Sequence, residues 1–137
     1  MTSTLVDSNV VIDVLEDPNG TSWSSKRVED AGDSGLVLIN PIVLAEVSIG
    51  FEDPGELERV LAQAEFTREA LPWEAAFEAG RAHALYRRRG GLRDRTLPDF
   101  FVGAHALVKQ HRLLTRDPRR YRAYFPALDI IAPDTHP

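Results

Sequence analysis

Two patterns of hydrophobic and polar positions alternate along this chain. Short, mostly apolar runs of strand length occur at Thr4-Leu5-Val6, Leu36-Val37-Leu38-Ile39, Leu113-Leu114-Thr115 and Leu128-Asp129-Ile130-Ile131, with a weaker one at Phe66 to Leu71. The unbroken run at Leu36 to Ile39 fits a strand covered on both faces. Between these runs, apolar residues recur at helical spacing. Val10, Val11, Val14 and Leu15 predict a helix ending near Glu16, and further helices are predicted over Ser22 to Ala31, Ile42 to Phe51, Asp53 to Ala64 and Pro98 to Gln110. The spacing predicts another over Trp73 to Arg88, with Ala76, Phe77, Gly80, Ala84 and Leu85 on its apolar stripe. Asp17-Pro18-Asn19-Gly20 is a turn, Asn40-Pro41 opens a helix with proline in its first turn, and Gly90-Gly91 ends one. Arg119 to Phe125 is a basic, aromatic segment. Strands alternating with helices predict an α/β fold: a mostly parallel sheet of about five strands with helices on both faces. The 137 residues show no repeat and no linker, so one domain over 1–137 is expected.

Composition narrows the class. Hydrophobic residues make up 43% of the chain, enough for a packed core, and no apolar run approaches membrane-spanning length. Cysteine is absent, which excludes disulfides and thiolate sites. The segment Met1-Thr2-Ser3-Thr4 has no positive charge and no signal-like apolar stretch behind it, and a cytoplasmic location is expected. The net charge of -5 conceals an asymmetry: residues 1–80 carry 4 basic and 16 acidic side chains, whereas residues 81–122 carry 12 basic and 3 acidic ones. The acidic part suits cations and the basic part suits phosphate.

Four acids stand at the edges of otherwise apolar segments. Asp7 closes the first run, Glu46 is the one charge between Ile42 and Phe51, Asp99 follows Pro98 at a helix start, and Asp117 follows Leu113 to Thr115. Each has an ordinary structural explanation. Asp7 or Ser8 can cap a helix, Glu46 can lie on a narrow exposed edge, Thr96-Leu97-Pro98-Asp99 fits a capping box, and Asp117 can start a turn. Together they occupy one edge of a parallel sheet, where α/β proteins bind ligands. Two carboxylates about 4 Å apart repel by about 4 kcal/mol at an effective dielectric of 20, so such a cluster calls for a cation. Oxygen donors without His or Cys favour Mg²⁺ or Mn²⁺ over Zn²⁺.

The segments Leu5-Val6-Asp7-Ser8-Asn9, Leu44-Ala45-Glu46, Leu97-Pro98-Asp99-Phe100-Phe101-Val102-Gly103-Ala104-His105-Ala106 and Leu114-Thr115-Arg116-Asp117 resemble the motifs of PIN-domain ribonucleases. In order, spacing and length the chain is similar to a VapC-type toxin of a bacterial toxin–antitoxin pair. The resemblance implies a PIN-like three-layer α/β/α fold. It also implies an acidic metal site at Asp7, Glu46, Asp99 and, as the loosest position, Asp117. An Mg²⁺-dependent endoribonuclease follows from it, leaving 5′-phosphate and 3′-hydroxyl ends. Its implied partners are an RNA substrate, a VapB-type antitoxin that blocks the acidic pocket, and a second copy in a homodimer.

Other residues follow from this reading. Asn9 and Thr115 are polar neighbours that can orient a ligand or cap a turn, and Asp13 is either a helix-face residue or a supporting acid. Arg87, Arg88, Arg89, Arg93 and Arg95, with Arg116, Arg119, Arg120 and Arg122, can contact RNA phosphates. Tyr121 and Tyr124 can stack on bases or pack in the core. His105 is expected to be packed. Trp73, Phe51 and Leu57 are candidates for contact surfaces, with core as the default. Two rival readings stand beside this one. A response-regulator receiver needs a lysine near its last strand, and the only lysines here are Lys26 and Lys109. A non-catalytic RNA-binding module would bind RNA without metal-dependent cleavage.

Overall fold

Thr4, Leu5 and Val6 are all buried because their strand has a neighbour on each side and helices above and below. The computed structural model describes residues 2–91 and 97–137. The strands are β1 (Thr4–Val6), β2 (Val37–Ile39), β3 (Thr67–Arg68), β4 (Arg112–Leu114) and β5 (Ile130–Ile131), all parallel, in the order β3-β2-β1-β4-β5. The helices are α1 (Ser8–Leu15), α2 (Trp23–Ser34), α3 (Pro41–Ser48), α4 (Pro54–Ala62), α5 (Glu74–Arg88), α6 (Pro98–Lys109) and α7 (Arg119–Tyr124). Helix α1 packs on α2 and α3, while α6 packs on α5, α7 and α3. The expected α/β class with a five-stranded parallel sheet is observed. The receiver reading falls here, since that fold orders its strands 2-1-3-4-5.

Local sequence sets the helix starts. The Asp7 carboxylate accepts from the Ser8 N–H, Ser22 Oγ from Ser25 N–H, and Asn40 Oδ1 from Val43 N–H, each satisfying a donor that the first turn leaves free. At α6 the N-cap position falls on Leu97, which has no capping side chain; the capping role expected of Thr96 lies outside the described residues.

Three expectations need correction. Arg119 to Tyr124 is helical, which the basic character of the segment hid. The buried face of α5 is Ala75, Ala79 and Ala82, so the stripe is rotated from the one read in sequence and Phe77 is 73% exposed. The small alanine face packs α5 against α6, the most extensively packed pair of helices among the described residues. Trp73 is 91% exposed, whereas Leu57 is buried and Phe51 only partly so.

Gly103 is required by packing. A Cβ there would sit 2.6 Å from two ring carbons of buried Phe125. Gly103→Ala is therefore expected to cost about 1–3 kcal/mol through overpacking. Urea unfolding checks it: a midpoint equal to wild type would contradict the fit.

Candidate acidic site at the sheet switch point

The strand order reverses at β1, leaving a crevice between the carboxyl ends of β1 and β4, where open α/β sheets bind ligands. Asp7 follows β1 and Thr115 follows β4. Val6 is in register with Leu114, and the Asp7 N–H donates to the Leu114 carbonyl at 2.9 Å. The two side chains thus meet across the crevice, and Thr115 Oγ1 donates to Asp7 Oδ2 at 2.8 Å. The Tyr121 hydroxyl, carried in by α7, donates to the same oxygen at 3.0 Å. Asp7 Oδ1 accepts from the Ser8 N–H at 2.8 Å.

Asp7 is 4% exposed and, among the described residues, has no cationic partner. Burial pushes its carboxyl pKa up, and the Asp99 charge adds to this; the bonds from Thr115, Tyr121 and Ser8 pull the other way. Glu46 comes from α3, next to buried Val43 and Val47, and is half-buried. It accepts from Ser8 Oγ at 3.1 Å, so Ser8 links the two acids through its N–H and its hydroxyl. Burial raises the Glu46 pKa too, despite the Ser8 bond, and both Asp7 and Asp99 add repulsion. Tyr121 is buried and its phenol is pushed well above its ordinary range, first by burial and then by the charges of Asp7, Asp99 and Glu46.

Asp99 lies in the first turn of α6, where the helix N-terminus favours an anion, and Arg120 Nη1 approaches its Oδ2 at 3.0 Å. Asp7, Glu46 and Asp99 thus lie near enough at this end of the sheet for their charges to act on one another, and the acidic hollow refers to these three. Asp117 follows Thr115 in the loop after β4. Its N–H donates to Thr115 Oγ1 at 3.1 Å, but its side chain is exposed and lines a neighbouring cleft with Tyr86, Arg119, Arg120 and Tyr124.

The supporting residues are placed as follows. Asn9 Nδ2 reaches Thr115 Oγ1 at 3.4 Å and its Oδ1 accepts from the Arg116 N–H at 3.2 Å, tying α1 to the loop after β4. Asp13 lies outside the hollow, accepting from Ser24 Oγ and pairing with Arg116 Nε. Among the basic candidates, Arg87, Arg88 and Arg119 are exposed, Arg116 is held by Asp13, and Arg122 is held by Asp134. Arg89 lies over the Tyr124 ring with its guanidinium carbon 5.2 Å from the centroid. Arg93 and Arg95 lie outside the described residues. Tyr121 cannot stack on a base, because it is buried against Asp7. Its place in the site was the residue role that sequence reading missed. The signal was present: Tyr121, Tyr124 and Phe125 at i, i+3 and i+4 make one apolar face of a helix.

A second polar group lies beneath α6. His105 is fully buried, its Nδ1 3.0 Å from Asn40 Nδ2 and its Nε2 2.7 Å from Glu69 Oε1, which also meets His111 Nε2 at 2.7 Å. Among the described residues these three ligand groups all lie within 4.8 Å of one another, which the acids of the hollow do not. The cluster is already satisfied as a hydrogen-bonded unit. Asn40 Oδ1 is committed to capping α3, so its Nδ2 faces His105 and donates to Nδ1. The ring proton then sits on Nε2, pointing at Glu69. A metal on that Nε2 would move the proton to Nδ1, against another donor. The expected packed role of His105 agrees with this.

The donor set of the hollow fits Mg²⁺ or Mn²⁺. Its acids offer only oxygens, its buried carboxylate has no counter-charge among the described residues, and Mg²⁺ is commonly held by one or two carboxylates with several waters retained. Wider spacing than a closed three-ligand cage is compatible with that habit.

Comparison with known proteins agrees with the fold. The family model described as "PIN domain" matches residues 4–126. Among solved structures, the chain is similar to VapBC2 from Rickettsia felis bound to a promoter DNA fragment, with TM-score 0.76 and 15% identity. It is also similar to DNA-bound VapBC from Salmonella typhimurium, with TM-score 0.70 and 21% identity, and to VapBC-1 from nontypeable Haemophilus influenzae, with TM-score 0.72 and 14% identity. Each alignment covers 96% of this chain and 98% of the matched one. No curated protein sequence matches it. With the family model spanning nearly all of its length, the chain belongs to the PIN domain family.

Proposed function

We propose that this protein is a VapC-type toxin, an endoribonuclease that hydrolyses RNA phosphodiester bonds with Mg²⁺ or Mn²⁺ and is held in check by a VapB-type antitoxin. The observation that carries the reading is Asp7, buried at the switch point near the charges of Glu46 and Asp99 and, among the described residues, with no cationic partner. A divalent ion held there supplies activation of the attacking water and neutralisation of charge at the scissile phosphate. Asp7 and Asp99 would hold it, with Glu46 adding negative charge. Thr115 and Tyr121 fix the Asp7 carboxylate through Oδ2, and the Ser8 N–H fixes it through Oδ1. No side-chain nucleophile is required, in keeping with the absence of cysteine. Asp117 shapes the adjoining cleft or acts through water.

The exposed Arg87, Arg88 and Arg119 offset the acidic hollow by meeting RNA phosphates. Similar solved structures include DNA-bound VapBC and a toxin–antitoxin complex from Klebsiella pneumoniae, and we extend that partnership, with homodimerisation, to this chain. Of the three contact-surface candidates, Trp73 is the one the fold exposes. Among the described residues no helix is long and apolar enough to cross a membrane, and action on RNA in the cytoplasm fits the reading.

The test is incubation of purified protein with total RNA in Mg²⁺ or EDTA, followed by mapping of cleaved ends. Cleavage is expected in Mg²⁺ and not in EDTA, and Asp99→Asn should abolish it while the circular dichroism spectrum is kept. Cleavage that persists in EDTA would overturn the metal reading. RNA binding without cleavage would favour the non-catalytic module.

A further inference from the structure

We propose that Arg120 is an exchangeable counter-cation of the acidic hollow: it holds Asp99 when no divalent ion is present and passes to a substrate phosphate when the ion takes Asp99. The inference rests on the metal-dependent reading above and deepens it.

Among the described residues, Arg120 is the one basic side chain paired with an acid of the hollow, Nη1 to Asp99 Oδ2 at 3.0 Å. Arg116 pairs with Asp13, Arg122 with both carboxylate oxygens of Asp134, and Arg89 with the Ala123 carbonyl and the Tyr124 ring, while Arg119 is exposed in the same cleft. The Arg120 and Asp99 side chains are 45% and 30% exposed, so parting them uncovers no core. The backbone beneath is anchored, because the next residue, Tyr121, is buried and donates to Asp7. A fixed backbone with a movable guanidinium suits a group that changes partners.

Two cations competing for one carboxylate are antagonists, and linkage makes the effect mutual: Arg120 must weaken the ion to the extent that the ion weakens Arg120. Once displaced, the guanidinium lies beside the cleft lined by Tyr86, Asp117, Arg119 and Tyr124. A phosphate there would meet the planar fork of donors that suits its oxygens.

The test is Mn²⁺ titration by calorimetry of wild type, Arg120→Gln and Asp7→Asn, with RNA cleavage by the first two at saturating Mn²⁺ over a range of salt. Arg120→Gln should bind Mn²⁺ about three- to tenfold more tightly, as expected when a nearby positive charge is removed. Its KM for RNA should rise, and the slope of log KM against log salt should fall by about 0.7, the loss of one single-strand phosphate contact. Arg120→Lys should keep the salt slope near wild type. Equal or weaker Mn²⁺ binding by Arg120→Gln overturns the exchange, and an unchanged salt slope overturns its phosphate half. Absence of an Asp7-dependent Mn²⁺ site in wild type overturns the metal reading itself, a result distinct from either.

Discussion

Asp7→Asn is expected to lower RNA cleavage by at least about a thousandfold, since a metal centre contributes several kcal/mol to the barrier and each 1.36 kcal/mol is tenfold in rate. The substitution keeps the size of the side chain and an oxygen for Thr115 and Tyr121, but it removes the charge that holds the ion. The fold should survive. Loss of a buried, uncompensated charge favours it, while an amide N–H₂ facing the Ser8 N–H opposes it. The pH dependence separates these effects. In the folded chain the Asp7 pKa lies above its ordinary value, mainly through burial, so the folded state holds that proton more tightly than the unfolded state does. Folding is thus favoured at low pH, and the advantage is lost as pH rises from the usual carboxylate range through the raised value. In metal-free buffer, wild type should lose stability relative to Asp7→Asn over that window, and Mn²⁺ should restore it to wild type alone. Urea midpoints from pH 4 to 7 measure this; a constant difference between the two proteins would refute it.

Tyr121→Phe should have the second largest effect. It removes one of two hydroxyl donors to Asp7 Oδ2 at a fully buried position, leaving Thr115 alone on that oxygen. A hydrogen bond to a charged group is worth about 1.5–3 kcal/mol in stability. Groups that orient a metal ligand change metal affinity by about 10- to 100-fold. The variant should therefore need about 10- to 100-fold more Mn²⁺ for half-maximal cleavage, with activity recovered at high Mn²⁺. A purely structural role would lower the urea midpoint without shifting the Mn²⁺ dependence, and that outcome would count against the assignment.

These two residues also mark how far the sequence could be read. Asp7 was visible because its surroundings are local: an apolar strand, an acid, then a helix start. The parallel sheet was visible for the same reason, in runs such as Leu36 to Ile39 between helical stretches. The strand order, which brings Thr115 beside Asp7 and excludes the receiver fold, depends on pairing between distant segments and has no local signature. Tyr121 was hidden because four arginines around it read as a solvated segment, although only one face of that helix is polar. Phe77 was misplaced because alanines fill either side of α5 equally well, and their burial is decided by α6. Asp117 was visible as an acid at a strand end, and its exposed side chain lines the cleft that Arg120 shares. The Glu69, His105 and His111 cluster joins the end of β3 to the carboxyl half of α6 and the residues just beyond it, far apart in the chain, and gave no motif at all.

The most direct measurement is an anomalous difference map from crystals soaked in Mn²⁺. The account predicts a peak in the hollow contacted by Asp7 and Asp99, lost in crystals of Asp7→Asn. A peak at Glu69, His105 and His111 with none beside Asp7 would contradict it.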